Sequence, residues 1–165
     1  MQRIPVTLSN GENIKLLPGR QKVLVKKVIA DFCSLYAPAG RVLYVSGTKK
    51  KWSYLDSDAL AELGLAIEEY GKMPDIVVHH LEENWLFLIE AVTSHSPVNP
   101  KRRQELKDLF AGSKSGLVFV TAFLEGRTMQ KYINDISWGT EVWIAESPTH
   151  LIHFNGGRLL GPYED

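Results

Sequence analysis

Apolar residues recur along this chain with two periods, about 3.6 residues and about 2, and the switches between them mark out the elements. From Arg20 to Tyr36, Val25, Val28, Ile29 and Phe32 return at helical spacing until Pro38 and Gly40 stop it. A second helix is expected after Pro100, a good first helical residue, with Leu106, Leu109 and Phe110 on one apolar face up to Gly112. Asp56 to Tyr70 reads as largely helical before Gly71 and Pro74, and Thr128 to Ile136 as a short helix. Short apolar runs predict strands at Val42 to Val45, Asp75 to His80, Trp85 to Ala91, Leu117 to Ala122, Glu141 to Ala145 and Leu151 to Phe154. Ile4 to Leu17, with Ser9-Asn10-Gly11 in its middle, reads as a hairpin. This order predicts an α/β or α+β sandwich, a mixed central sheet flanked by helices.

One hairpin in this pattern brings chemistry together. A reversal between Glu82 and Glu83 sets Val77 opposite Leu88, His79 opposite Leu86, and Asp75 opposite Glu90. Directly opposed side chains have Cβ atoms about 5 Å apart, where like charges repel unless something offsets them. A divalent cation would do so, and two carboxylates are hard oxygen ligands suited to Mg²⁺. The alternative is that Asp75 merely ends a turn after Pro74 and Glu90 emerges at a strand end. Five apolar residues, Trp85 to Ile89, precede Glu90, and an isolated buried charge is costly, which favours the site.

Composition narrows the classes. With 44% hydrophobic and 23% charged residues in 165, the chain is neither disordered nor fibrous, and its length suits one domain over 1–165. No apolar run approaches the roughly 20 residues needed to cross a bilayer, and Met1 to Thr7 lacks the apolar stretch of a signal peptide, so a cytoplasmic protein is expected. Cys33, the one cysteine, lies among Ile29, Phe32 and Leu35 and is expected to be buried. Nineteen basic residues balance nineteen acidic ones, so any case for nucleic acid rests on clusters: Lys49, Lys50 and Lys51; Lys101, Arg102 and Arg103; Lys22, Lys26 and Lys27 on the first helix. Solvated surface charge is the plainer reading of each. No Cys/His spacing resembles a structural zinc site, and His150 and His153 would fall on opposite faces of a strand. Trp52, Trp85, Trp138 and Trp143 are spread across separate elements and are expected in the core or on sheet faces.

Pro74-Asp75, a hairpin, then Glu90 resembles the PD-(D/E)xK nuclease arrangement. The longer text is more specific: Lys72-Met73-Pro74-Asp75, then Asn84 through His95, then Pro100-Lys101-Arg102, with Leu151-Ile152-His153-Phe154-Asn155-Gly156 and Leu160-Gly161-Pro162-Tyr163. Together with Ile4-Pro5-Val6-Thr7-Leu8 at the start, it resembles the C-terminal catalytic half of the BsuBI/PstI restriction endonucleases. The resemblance implies a type II, Mg²⁺-dependent endonuclease that hydrolyses double-stranded DNA at a short palindromic site, leaves a 5′-phosphate, and serves restriction-modification defence. It further implies that Asp75 and Glu90 hold metal, and that two chains act as a symmetric dimer, since a two-fold protein matches a two-fold site.

Two departures stand out. Val92 occupies the place where the general pattern has lysine, and Ser46 stands where an aspartate is expected. The lysine's charge comes from elsewhere or is absent; Lys101 is the candidate source, against the plainer role of contacting the DNA backbone or water, with Arg102 a weaker one because adjacent helix positions point about 100° apart. His95, in the loop after the hairpin, is a candidate for contacting phosphate or positioning water, against a loop histidine bonded to backbone; Glu62 is a candidate extra acidic group, with plain solvent exposure the preferred reading. The resemblance is to the C-terminal half of typical members; their N-terminal half, a helical region expected to help bind DNA, lies outside these 165 residues, as expected of either a fragment or a compact variant. Two other functions stay open: a DNA-binding module of the same fold without catalysis, and a repair or defence nuclease without sequence specificity. Incubation of plasmid DNA with Mg²⁺ separates the first, and mapping of the cut ends the second.

Overall fold

The computed structural model describes residues 2–48, 50–68 and 70–156. Seven strands form one mixed sheet: β3 (Arg41–Val45), β4 (Tyr54–Leu55), β5 (Ile76–His80), β6 (Trp85–Val92), β7 (Gly116–Phe123), β8 (Thr140–Ile144) and β9 (Leu151–Phe154), in the order β4-β3-β5-β6-β7-β8-β9. Pairing is parallel for β6 with β7 and β7 with β8, and antiparallel elsewhere. The first two strands, β1 (Ile4–Thr7) and β2 (Asn13–Leu16), make a separate hairpin. No helix among the described residues is long and apolar enough to cross a membrane.

Both faces of the sheet are covered, so its central strands are apolar on both sides. One face packs against a helical run of α1 (Arg20–Lys27), a π-helical stretch (Val28–Phe32) and α2 (Cys33–Tyr36). Leu24, Val25, Val28 and Phe32 meet Ile76, Val78, Phe87, Ile89 and Ala122 there, and the Phe32 ring lies edge-on to both Phe87 and Trp143. The other face packs against α3 (Ser57–Glu62) and α4 (Pro100–Leu109), with Leu60, Leu106 and Phe110 against Val77, Leu86 and Leu88. Beyond β7, α5 (Gly126–Tyr132) closes a smaller cluster of Val92, Phe123, Ile136 and Val142. Cys33 is buried, as is Trp143; Trp85 is exposed at the start of β6, whereas Trp138 is exposed in the turn before β8, against the expectation of a core or sheet-face position.

The predicted hairpin register is the observed one: Val77 pairs with Leu88 and His79 with Leu86. Asn84, at φ 55°, takes the left-handed turn position for which the sequence offers no glycine. The helix expected over Asp56 to Tyr70 is much shorter. Gly64, at φ 84°, ends it, and the amides of Gly64 and Leu65 turn back to the carbonyls of Ala61 and Leu60, a glycine C-cap that frees Leu65 to pack into the core.

The segment joining β6 to α4 is pinned from inside. Val98 donates its amide to the Thr121 hydroxyl at 3.0 Å, and its carbonyl accepts from the Ser137 amide. Asn99 caps α4 by accepting from the Arg102 amide at 2.8 Å. Thr121 and Val98 are fully buried. Thr121→Val keeps the shape but leaves the Val98 amide unsatisfied, and should lower stability by about 1–3 kcal/mol. Urea denaturation checks this, and an unchanged midpoint would contradict it.

Candidate active site at the ends of the central strands

Three strand ends meet at one edge of the sheet. Ser46 follows β3, Asp75 precedes β5, and Glu90 lies near the end of β6. The Asp75 carbonyl accepts from the Ser46 amide at 2.8 Å, extending the β3–β5 ladder by one step. Its carboxylate accepts from the Ala91 amide at 2.8 Å and from the Ser46 hydroxyl at 3.2 Å. Glu90, one residue further back, is buried at 7% exposure. The pairing of Asp75 with Glu90 that the hairpin register implies is therefore realised, with the aspartate held by backbone on two sides.

The Glu90 carboxyl is partnered by Arg102 at the start of α4. Arg102 Nε and Nη2 donate to Glu90 Oε1 at 2.7 and 2.6 Å, and Nη2 also donates to the Met73 carbonyl at 3.1 Å. Burial first, and the Asp75 charge second, push the Glu90 carboxyl up to about 8 against the opposing pull of Arg102. His95 completes the cluster: ligand atoms of Asp75, Glu90 and His95 lie within 4.8 Å of one another. This is the one such group of metal-ligating side chains among the described residues.

The other expected residues are placed unevenly. Lys101 is exposed and makes no hydrogen bond or ion pair among the described residues, while Arg102 reaches the site. Of the two, Arg102 is the one turned toward Glu90, because the Asn99 cap starts the helix with position 102 facing the sheet edge. Arg103 folds back over the Phe119 ring, 4.8 Å from its centroid, and donates to the Gly139 carbonyl. Glu62, the last residue of α3, is exposed and outside the cluster. Lys50 and Lys51 line a cleft of about 630 Å³ with Ser46 and Asp75, and Lys49 lies outside the described residues.

Two features escaped the sequence reading. Lys22 is buried beside Ser46, and its pKa is lowered by that burial although Asp75 opposes the shift. The signal was available, since Lys22 stands three, seven and ten residues before Val25, Ile29 and Phe32 and so shares their apolar face. Gly47 is the second: a Cβ there would meet the Lys51 carbonyl oxygen at 2.3 Å. Only glycine lets the basic loop pass this close behind Ser46.

A mixed sheet with helices on both faces and an acidic pair at its central strand ends is a restriction-endonuclease-like architecture. The solved structure of the SdaI restriction endonuclease matches it with a TM-score of 0.89 at 41% identity, covering 99% of this chain and 52% of that one. Residues 4–157 match the BsuBI/PstI restriction endonuclease domain, and the chain belongs to that family. It is 50% identical over 162 residues to the type II restriction enzyme BsuBI of Bacillus subtilis, covering 98% of this chain and 51% of that protein. It is 34% identical over 166 residues to the type II restriction enzyme AplI of Arthrospira platensis, covering 96% of this chain and 51% of that protein. The chain thus spans about half the length of the relatives it matches.

The raised Glu90 carboxyl makes the metal-free fold sensitive to pH. A carboxyl that holds its proton more tightly when folded contributes stability below its unfolded value, and loses it as pH rises through about 8. Asp75→Asn removes the second cause of that shift while an amide can still serve Ser46 and Ala91. Free of divalent metal at about pH 8, this variant should melt higher than the wild type, by roughly 2–4 °C for each ~1 kcal/mol relieved. The gap should narrow toward about pH 5. Thermal denaturation followed by circular dichroism reads it, and a variant melting below wild type at the higher pH would contradict the account.

Proposed function

We propose that this chain is the catalytic half of a type II restriction endonuclease that hydrolyses both strands of duplex DNA at a short palindromic site. The observation that carries the reading is the meeting of Asp75 with the buried Glu90, a pair that Arg102 relieves only in part and that a divalent cation would hold in its doubly charged form. Family membership and the structural likeness to SdaI support it.

Asp75 and Glu90 offer hard carboxylate oxygens that fit Mg²⁺, and His95 is placed to add a nitrogen ligand or to touch a phosphate or a bound water. Bound there, Mg²⁺ would supply Lewis acidity toward the phosphate and a lowered pKa for water. The chain's own groups do the positioning. The Ala91 amide and the Ser46 hydroxyl fix the Asp75 carboxylate, so it meets the substrate without rearranging. Arg102 fixes the Glu90 carboxylate through a charge-assisted pair and brings positive charge near a polyanion. Lys50 and Lys51, which line the cleft, would meet the DNA backbone, as would exposed Lys101 at the start of α4. Two chains related by a two-fold axis would set one such site on each strand, in the cytoplasm where the DNA lies.

Asp75→Asn and Glu90→Gln should each abolish Mg²⁺-dependent cleavage while DNA binding persists, since removing a carboxylate lessens repulsion with phosphate. The assay is single-turnover cleavage of a duplex, with gel-shift binding in parallel and the remaining half of the relatives' length supplied where cutting requires it. Unaltered cutting by either variant would overturn the assignment. Scattered cut ends would replace restriction with a nuclease of no sequence preference.

Sedimentation tests the pairing of chains separately. Two chains per cognate duplex are expected, and a single chain that cuts both strands would rule the dimer out.

A further inference from the structure

Two carboxylates facing a polyanion need cations, and among the described residues two buried or half-buried ones reach this site. Arg102, from α4, is committed to Glu90 and to the Met73 carbonyl. Lys22 arrives from α1 on the opposite face of the sheet, at 8% exposure. Its Nζ donates to the Ser46 carbonyl at 3.2 Å and to the Ser46 hydroxyl at 3.1 Å, and that hydroxyl donates to Asp75 Oδ1 at 3.2 Å. An ammonium has three N–H donors, and Ser46 supplies its two protein acceptors among the described residues. Lys22, Ser46 and Asp75 line the same open cleft. The helix that carries Lys22 is fixed to the catalytic strand, because Gln21 donates to the Ala91 carbonyl at 3.4 Å.

The strand itself cannot supply this charge. Val92 shares a face with Glu90, two residues along β6, but its side chain is fully buried among Phe123, Ile136 and Val142. An ammonium on that stem would enter a closed apolar cluster.

We propose that Lys22 is the catalytic lysine of this site, its ammonium donating to a non-bridging oxygen of the scissile phosphate as negative charge builds there. The proposal rests on the nuclease reading above. A water oxygen forms the new P–O bond while the bond from phosphorus to the 3′ oxygen breaks. The water's proton leaves to solvent, the 3′ oxygen takes one from solvent, and Lys22 keeps its protons and acts by charge and hydrogen bonding. Ser46 is then a positioning residue that holds the ammonium and the Asp75 carboxylate in one line, which is a use for a serine at that strand end.

Lys22→Gln tests it, because glutamine can still donate to Ser46 but carries no charge. Single-turnover cleavage at saturating DNA is measured in Mg²⁺, DNA affinity in Ca²⁺, and melting temperature in both, beside wild type, Asp75→Asn and the exposed neighbour Lys26→Gln. Lys22→Gln should lose on the order of a hundredfold or more in rate, with DNA affinity and melting temperature near wild type, while Lys26→Gln stays at the wild-type rate. Should Lys22→Gln melt lower, Lys22→Met decides, since it fills the same volume without a polar group to bury: the same loss of rate supports the proposal and a wild-type rate overturns it. Weaker DNA binding with an unchanged saturating rate would also overturn it, leaving Lys22 a phosphate contact. Wild-type cutting that stops in Asp75→Asn but runs at full rate in Lys22→Gln rejects Lys22 and leaves the nuclease reading standing. An inert wild type rejects both.

Discussion

The repulsion between Asp75 and Glu90 is the constraint on which the rest of this structure depends. An antiparallel register fixes them opposite each other, burial denies Glu90 the water that would screen it, and both effects raise its carboxyl. A fold selected for stability alone would place an apolar pair or an amide here. The protein instead holds the pair with an arginine, a serine hydroxyl and a backbone amide, each donating a hydrogen bond toward a carboxylate oxygen. Such partial compensation leaves the carboxylates competent to take a cation.

What keeps them in place is the layering of the sheet. Both faces of β6 are packed, so a one-residue shift of the strand would turn Glu90 into the apolar layer under α1 and break the fit of Leu86, Leu88 and Ile89. The loop after it is tied down by Thr121, and that tie aims α4 so that Arg102 faces the site. Lys22 comes from the opposite layer through α1. The site is thus assembled from both faces of the sheet at one edge, and its polar groups ride on rigid elements.

Much of this was legible in the sequence because the relevant signals are local. Period-2 runs and the hairpin register placed Asp75 against Glu90 from residue numbers alone, and the helical period over Arg20 to Tyr36 was equally plain. Less is legible where a single residue or a side-chain direction decides. Gly64 stops α3 after two turns although the apolar pattern runs on. Arg102 and not Lys101 turns inward because the Asn99 cap sets the phase of α4, which spacing from Glu90 does not reveal. Lys22 belongs by sequence to a basic cluster with Lys26 and Lys27, and only its place on the apolar face of α1 marks it as buried. Long-range contacts such as Lys22 with Ser46, 24 residues apart, have no local signature at all.

The central claim is that Asp75 and Glu90 share a divalent cation. Mn²⁺, whose unpaired electrons report binding directly, can be titrated into the metal-free protein with duplex DNA and followed by electron paramagnetic resonance. The account predicts that wild type takes up Mn²⁺, that Asp75→Asn and Glu90→Gln each lose that uptake, and that wild-type affinity rises with pH as Glu90 gives up its proton. Equal Mn²⁺ uptake by wild type and both amide variants would contradict it.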